Sequence, residues 1–221
     1  MTKQEQILKF IPEQGVLPLF FNKEADVSIA VLKALYNAGV RAIEYTNRGE
    51  AALVNFAEMV KVRDAELPGL YLGIGTIKNA AQAEAFVAAG ADYLISPGLV
   101  VEVAEVAKKH DILYVPGAMT PSEIIAAENL GITFVKLFPG NILGPGFVGA
   151  VKEVFPKLQF MATGGVELEE GNLKAWFNSG VAAVGMGSKL ITKKLLEEKN
   201  YEQLAADTKK ALEIIKAIKA K

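Results

Sequence analysis

The chain has 221 residues, sets 24 lysines and arginines against 25 aspartates and glutamates, and is 51% hydrophobic. That balance excludes a disordered chain and gives no basis for nucleic-acid or membrane-surface binding. With no cysteine and a single histidine, His110, it also excludes disulfides, thiolate nucleophiles and multi-histidine metal sites, and leaves a Ser-His-Asp arrangement only His110 to draw on.

The opening MTKQEQILKF lacks the apolar core of a signal peptide and predicts a helix instead. No uncharged apolar run is long enough to span a bilayer, so the expectation is a cytoplasmic protein. Strands are then predicted at GVLPLFF (15–21), AIEYT (42–46), LYLGIGT (70–76), DYLISP (92–97), ILYVPG (112–117), FVKLFP (134–139), QFMATG (159–164) and AAVGMG (182–187). They recur roughly every 20 to 29 residues, the pitch of a strand–helix unit with short connections. Amphipathic helices fill the intervals, and several end in glycine just before the next strand: NAGVRAIE, AAGADYLI, NLGITFVK and NSGVAAVG. YEQLAADTKKALEIIKAIKAK (201–221) predicts a final helix with a basic end.

Eight such units predict an α/β fold, a (β/α)8 TIM barrel with an added helix at each end. An open doubly wound sheet is the runner-up. It needs fewer strands and a glycine-rich turn after the first, where PLFFNKEAD has none. No linker or low-complexity tract divides the chain, so residues 1–221 are expected to form one domain.

In such barrels the chemistry sits at the C-terminal ends of the strands. Alternation of side chains puts Glu44 and Thr46 on one face of the second strand, with Ile43 and Tyr45 on the other. On the sixth, Phe134, Lys136 and Phe138 oppose Val135 and Leu137. The apolar pairs suit the layer under the helices, so Glu44 and Lys136 both point into the barrel. Burial disfavours the charged form of an amine, and a neutral amine can attack a ketone; a neighbouring carboxylate can then shuttle protons. Arg48, one pleat nearer the mouth, suits a substrate carboxylate. The competing reading is a buried Lys136–Glu44 ion pair that satisfies only itself.

TGGV (163–166) ends the seventh strand and GMGSKL (185–190) the eighth, the two loops in which barrels often hold phosphate. Glycine backbone N–H groups, with a helix expected from Ser188, suit an anion. Lys189 adds either a cation or a solvated helix residue, and the glycines alternatively make only tight turns. His110 ends a helix (AKKHD) as a surface partner of its dipole, and Trp176 fits a helix face packed on the barrel.

The ordered set GVRAIEYTNRG, GIGT, ISPG, YVPGAMTPSE, FVKLFP and TGGV…GMGS resembles the KDPG/KHG aldolases, class I pyruvate-forming enzymes, over about residues 15–190. The resemblance implies a Schiff-base lysine at Lys136 and a general acid/base at Glu44. It implies a pyruvate pocket at Arg48, Thr76, Pro97 and Phe138, and a phosphate site at Thr163, Gly164, Gly165 and Ser188. It further implies no metal or cofactor, a cytoplasmic homotrimer, and cleavage of 2-keto-3-deoxy-6-phosphogluconate, with 4-hydroxy-2-oxoglutarate or the galactonate epimer as variants. A phosphosugar isomerase or epimerase on the same barrel and an inactive sugar-acid binding protein are the rivals. Gly140, the NILGPGF loop, Tyr45 and Asn47 depart from the family's commonest pattern, at the end that meets the aldehyde half.

Overall fold

Parallel strands alternate with helices along the whole computed structural model, which describes residues 1–220. α1 (Lys3–Gln14) is followed by β1 (Val16–Phe20), α2 (Ala25–Asn37), β2 (Ala42–Thr46), α3 (Ala52–Glu66), β3 (Tyr71–Gly75), α4 (Ala80–Ala88), β4 (Tyr93–Ile95) and α5 (Val101–Lys109). Then come β5 (Leu113–Val115), β6 (Gly117–Ala118), α6 (Pro121–Asn129), β7 (Phe134–Leu137), α7 (Gly140–Val154), β8 (Gln159–Thr163), α8 (Glu170–Asn178), β9 (Ala183–Met186), α9 (Lys193–Glu197) and α10 (Tyr201–Lys219). Lys221, the end of the expected final helix, lies outside the described residues.

The sheet runs β5-β4-β3-β2-β1-β9-β8-β7-β6, and every pairing in it is parallel. Its two edges are consecutive in sequence and are separated by Pro116 alone. Proline has no N–H to give a ladder, which is why the continuous strand expected over 112–117 is two short ones. The carbonyls still bridge the gap: Val115 O accepts from Ser96 N–H at 3.1 Å on one side, and Pro116 O accepts from Lys136 N–H at 2.8 Å on the other. The sheet is thereby a nearly closed barrel with helices outside.

The four glycines that follow α2, α4, α6 and α8 — Gly39, Gly90, Gly131 and Gly180 — all have positive φ, between 77° and 108°. Each reverses the chain just past its helix end and aims it into the next strand. NILGPGF, expected as a loop, is instead the start of α7, kinked where Gly144 leaves helical geometry (φ 71°, ψ 168°) ahead of Pro145.

α1 closes the N-terminal end of the barrel. Thr2 caps it in a reciprocal capping box with Glu5. Ile7 and Ile11 are fully buried against inward-facing Leu17, Ala42, Phe134 and Met161. The Gln14 side chain seals the seam. Its Oε1 accepts from Arg41 N–H (2.6 Å) and Ala42 N–H (3.1 Å), and its Nε2 donates to Val16 O (2.6 Å) and Ala42 O (3.0 Å). The barrel is therefore accessible from the opposite end, where the strands stop.

Beyond Tyr71, which packs against the floor cluster, the inward face of β3 is bare. A Cβ added at Gly73 would overlap the Tyr93 ring, and one added at Gly75 would overlap the Glu44 carboxylate. Two side chains from flanking strands cross the lane those glycines leave. The fully buried Tyr93 hydroxyl donates to Ile43 O at 2.6 Å, the carbonyl just before Glu44. Burial pushes its phenol well above the ordinary range, and the nearby Glu44 and Asp92 carboxylates add to this, so it stays a donor.

Gly73→Ala should therefore destabilise the protein by about 1–3 kcal/mol or more through overpacking, read from the urea midpoint. Gly98→Ala, where an added Cβ meets nothing within 4 Å, should stay within about 0.5 kcal/mol of the parent. Equal effects at the two sites would contradict the crossing.

Candidate active site

β7 and β2 lie on different sides of the ring, and each points one charged side chain inward. Lys136 stands in register with Gly117 and Met161, and Glu44 with Leu19 and Gly73. Their neighbours Val135, Leu137, Ile43 and Tyr45 face the outer apolar layer, as the alternation requires. Lys136 Nζ lies 3.5 Å from Glu44 Oε1, with Lys136 6% and Glu44 0% exposed.

A buried pair lowers its desolvation cost with extra hydrogen bonds. This one does not. Glu44 Oε2 is buried without a hydrogen-bond partner among the described residues, as is Thr163 Oγ1. A buried carboxylate oxygen with no protein partner, beside an amine, marks the pair as a candidate site. Both atoms belong to side chains on inward positions near the open end.

At the open end of the barrel is a cavity of about 340 Å³, in the range of small-molecule sites, whose lining includes neither Lys136 nor Glu44. Arg48, Phe138, Thr163, Gly164, Gly165 and Ser188 all line it, so six expected site residues meet in one place. Phe138 connects the cavity to the buried pair: it lines the one, and its ring centroid is 5.6 Å from Lys136 Nζ in the other. Arg48 is exposed and makes no ion pair among the described residues, so its guanidinium is open to an anionic ligand. Thr76 and Pro97 sit at the same end of the barrel but are not in the cavity's lining. Thr76 holds a left-handed backbone (φ 64°) immediately after β3, and Pro97 packs by its carbonyl against Gly117.

The glycine loop after β8 is held by residues that sequence reasoning did not assign to the site. Asn172 Nδ2 (3.0 Å) and Trp176 Nε1 (3.3 Å) both donate to Gly165 O, and Glu167 N–H donates to Asn172 Oδ1 at 3.0 Å. Trp176 is buried on the barrel as expected and also serves as an anchor. The loop is hemmed in on its other side by the start of α7. A Cβ added at Gly140 would sit 2.5 Å from Gly164 O, a physical reason for glycine there.

The helix expected from Ser188 is absent. Leu190 and Ile191 N–H both donate to Gly187 O at 2.9 Å, a local turn, and α9 begins only after Thr192 caps it. Ser188 still lines the cavity, but it brings no helix terminus with it. Lys189 also lines the cavity, and its Nζ pairs with Glu167 Oε1 at 2.8 Å. His110 is the C-cap of α5, and its Nε2 lies 2.7 Å from Glu84 Oε2, remote from the site. A larger cavity of about 430 Å³, beside α1 and α5, has no counterpart of Thr163, the buried polar residue in the lining of the first.

Residues 7–206 match the family model for KDPG and KHG aldolase. A 2-dehydro-3-deoxy-phosphogluconate aldolase of Dickeya dadantii is 32% identical over 96% of this chain and 95% of its own length. The KHG/KDPG aldolase of Escherichia coli K12 is 29% identical, with 96% of each chain covered. Among solved structures, the KDPG aldolase of Legionella pneumophila, with pyruvate captured as a covalent carbinolamine, is 27% identical. It superposes with a TM-score of 0.81 over 88% of this chain and 92% of that one. With the family model spanning most of its length, this chain belongs to the KDPG and KHG aldolase family.

Proposed function

We propose that this protein is a class I aldolase that cleaves 2-keto-3-deoxy-6-phosphogluconate to pyruvate and glyceraldehyde 3-phosphate through a Schiff base on Lys136. The observation that carries this reading is the enclosed amine 3.5 Å from a carboxylate whose other oxygen is unpartnered, with a cavity lined by Arg48 and two glycine loops at the open end of the barrel. The platform is an eight-unit (β/α)8 barrel, counting β5 and β6 as one strand interrupted at Pro116. It has α1 and α10 added at its ends, and residues 1–221 form one domain. Following the family, we place the enzyme in the cytoplasm as a homotrimer.

Lys136 Nζ adds to the C2 ketone to give a carbinolamine, which loses water to an iminium. Glu44 takes and returns the protons of these steps. The iminium then accepts the electron pair of the C3–C4 bond as that bond breaks. The C4 hydroxyl, its proton passed to Glu44, becomes the aldehyde of the departing triose phosphate. The enamine is protonated at C3, and hydrolysis releases pyruvate and the free lysine. A proton shuttle of this kind is worth about 10²–10⁴ in rate.

Arg48 grips the substrate carboxylate with Thr76, while Pro97 and Phe138 wall the keto-acid end. At the other end the Gly164–Gly165 turn and Ser188 hold the phosphate, with Thr163 beside it. Water exclusion follows from the closed barrel floor and from Phe138 near the amine. The same steps on 4-hydroxy-2-oxoglutarate, a compound in keeping with the name of the E. coli relative, use the lysine and the carboxylate but leave the phosphate loops idle.

Reduction with borohydride in the presence of pyruvate should leave a stable adduct on the peptide carrying Lys136, and Lys136→Ala should abolish it while the far-ultraviolet circular dichroism stays native. Turnover without any such adduct would make the protein an isomerase-type enzyme instead; neither adduct nor turnover, with sugar acid still bound, would make it a binding protein. Glu44→Gln should lower kcat about 10²–10⁴-fold while pyruvate still binds. Normal turnover in that variant would remove Glu44 from the mechanism.

A further inference from the structure

The two glycine loops are joined at their rim by an ion pair. Lys189 Nζ, from the turn after β9, lies 2.8 Å from Glu167 Oε1, from the segment after β8. Lys189 and Arg48 are the two cationic side chains in the cavity's lining, and the lining contains no carboxylate; Glu167 lies outside it. Glu167 is itself held, because its N–H donates to Asn172 Oδ1, the side chain that also fixes Gly165 O. That bond fixes the Glu167 backbone only: its side chain is 49% exposed and the Lys189 side chain 59%. The pair lies at the rim with both side chains exposed, so its lysine end can exchange partners without disturbing the loop backbone.

We infer that Lys189 is a specificity-determining residue. It leaves Glu167 for the terminal phosphate of the substrate, so that the loops select phosphorylated from unphosphorylated keto acids. The inference rests on the functional reading above and concerns only its phosphate end. A phosphate dianion carries more charge than one carboxylate and offers three acceptor oxygens, so it competes for the ammonium on favourable terms. An exposed ion pair contributes little to stability, and breaking it costs the protein correspondingly little. Glu167 has the opposite effect: its charge at the rim holds Lys189 back and repels the incoming dianion. Pyruvate, which has no phosphate, engages Lys136 and Arg48 without touching either residue.

The test compares two readouts on each variant: KM for 2-keto-3-deoxy-6-phosphogluconate, and the pyruvate concentration that half-saturates borohydride trapping on Lys136. Lys189→Ala should raise the first about tenfold, the loss of one hydrogen bond to a charged group, and move the second less than about twofold. Lys189→Arg should restore most of the first. Glu167→Gln should lower it about threefold, and added salt should shrink the difference between parent and Lys189→Ala. An unmoved KM in Lys189→Ala, or a raised KM in Glu167→Gln, would overturn the role of Lys189. A parent protein that traps no pyruvate would instead overturn the reading of the whole site, so the two failures are distinct.

Discussion

The structure turns on the problem of bringing a carboxylate and an amine together, both buried, inside a ring of strands. Glu44 comes from β2 and Lys136 from β7, 92 residues later in the chain, and their side chains meet at 3.5 Å. The meeting requires space within the barrel, and β3 provides it by carrying glycine at both of its crossing positions, 73 and 75. Tyr93 uses one of these positions to hold the backbone ahead of Glu44, and Glu44 itself uses the other. Below them α1 stops the barrel with Ile7 and Ile11, so the pair faces a single opening.

Above that opening the same economy of space recurs. Gly140 lets the start of α7 lie against the Gly164 carbonyl, and Asn172 and Trp176 hold the loop from the other side. A loop fixed at so many points keeps its N–H groups in place before any ligand arrives, which reduces the ordering cost of binding an anion. In the phosphate site we propose, the loop backbone is the fixed cradle and the exposed Lys189 side chain the charge that is redirected.

Much of this was legible in the sequence. The strand–helix alternation, the glycine after each of four helices and the face arithmetic that turned Glu44 and Lys136 inward all depend on local rules of geometry, and the structure has them as expected. Those rules failed where a longer-range contact or a single backbone group decided the outcome. Pro116 cut a strand because it lacks an N–H. Ser188 opened a single turn that the extended Thr192 ends before a helix can propagate, while NILGPGF became a kinked helix despite its two glycines and proline. Asn172 and Trp176 lie on a helix face that reads as ordinary packing, and nothing in their spacing signals that both reach Gly165 O. The bareness of β3 was visible as GIG, but its meaning required knowing which side chains cross it.

In the mechanism proposed above, the Lys136 amine is the atom that bonds to substrate. A crystal structure of the protein grown with pyruvate tests it most directly. Continuous density is expected from Lys136 Nζ to the former keto carbon, with the Glu44 carboxylate beside the new bond and the pyruvate carboxylate turned toward Arg48. Pyruvate lying unbonded in the cavity with Nζ still on Glu44, or bonded to any other lysine, would contradict it.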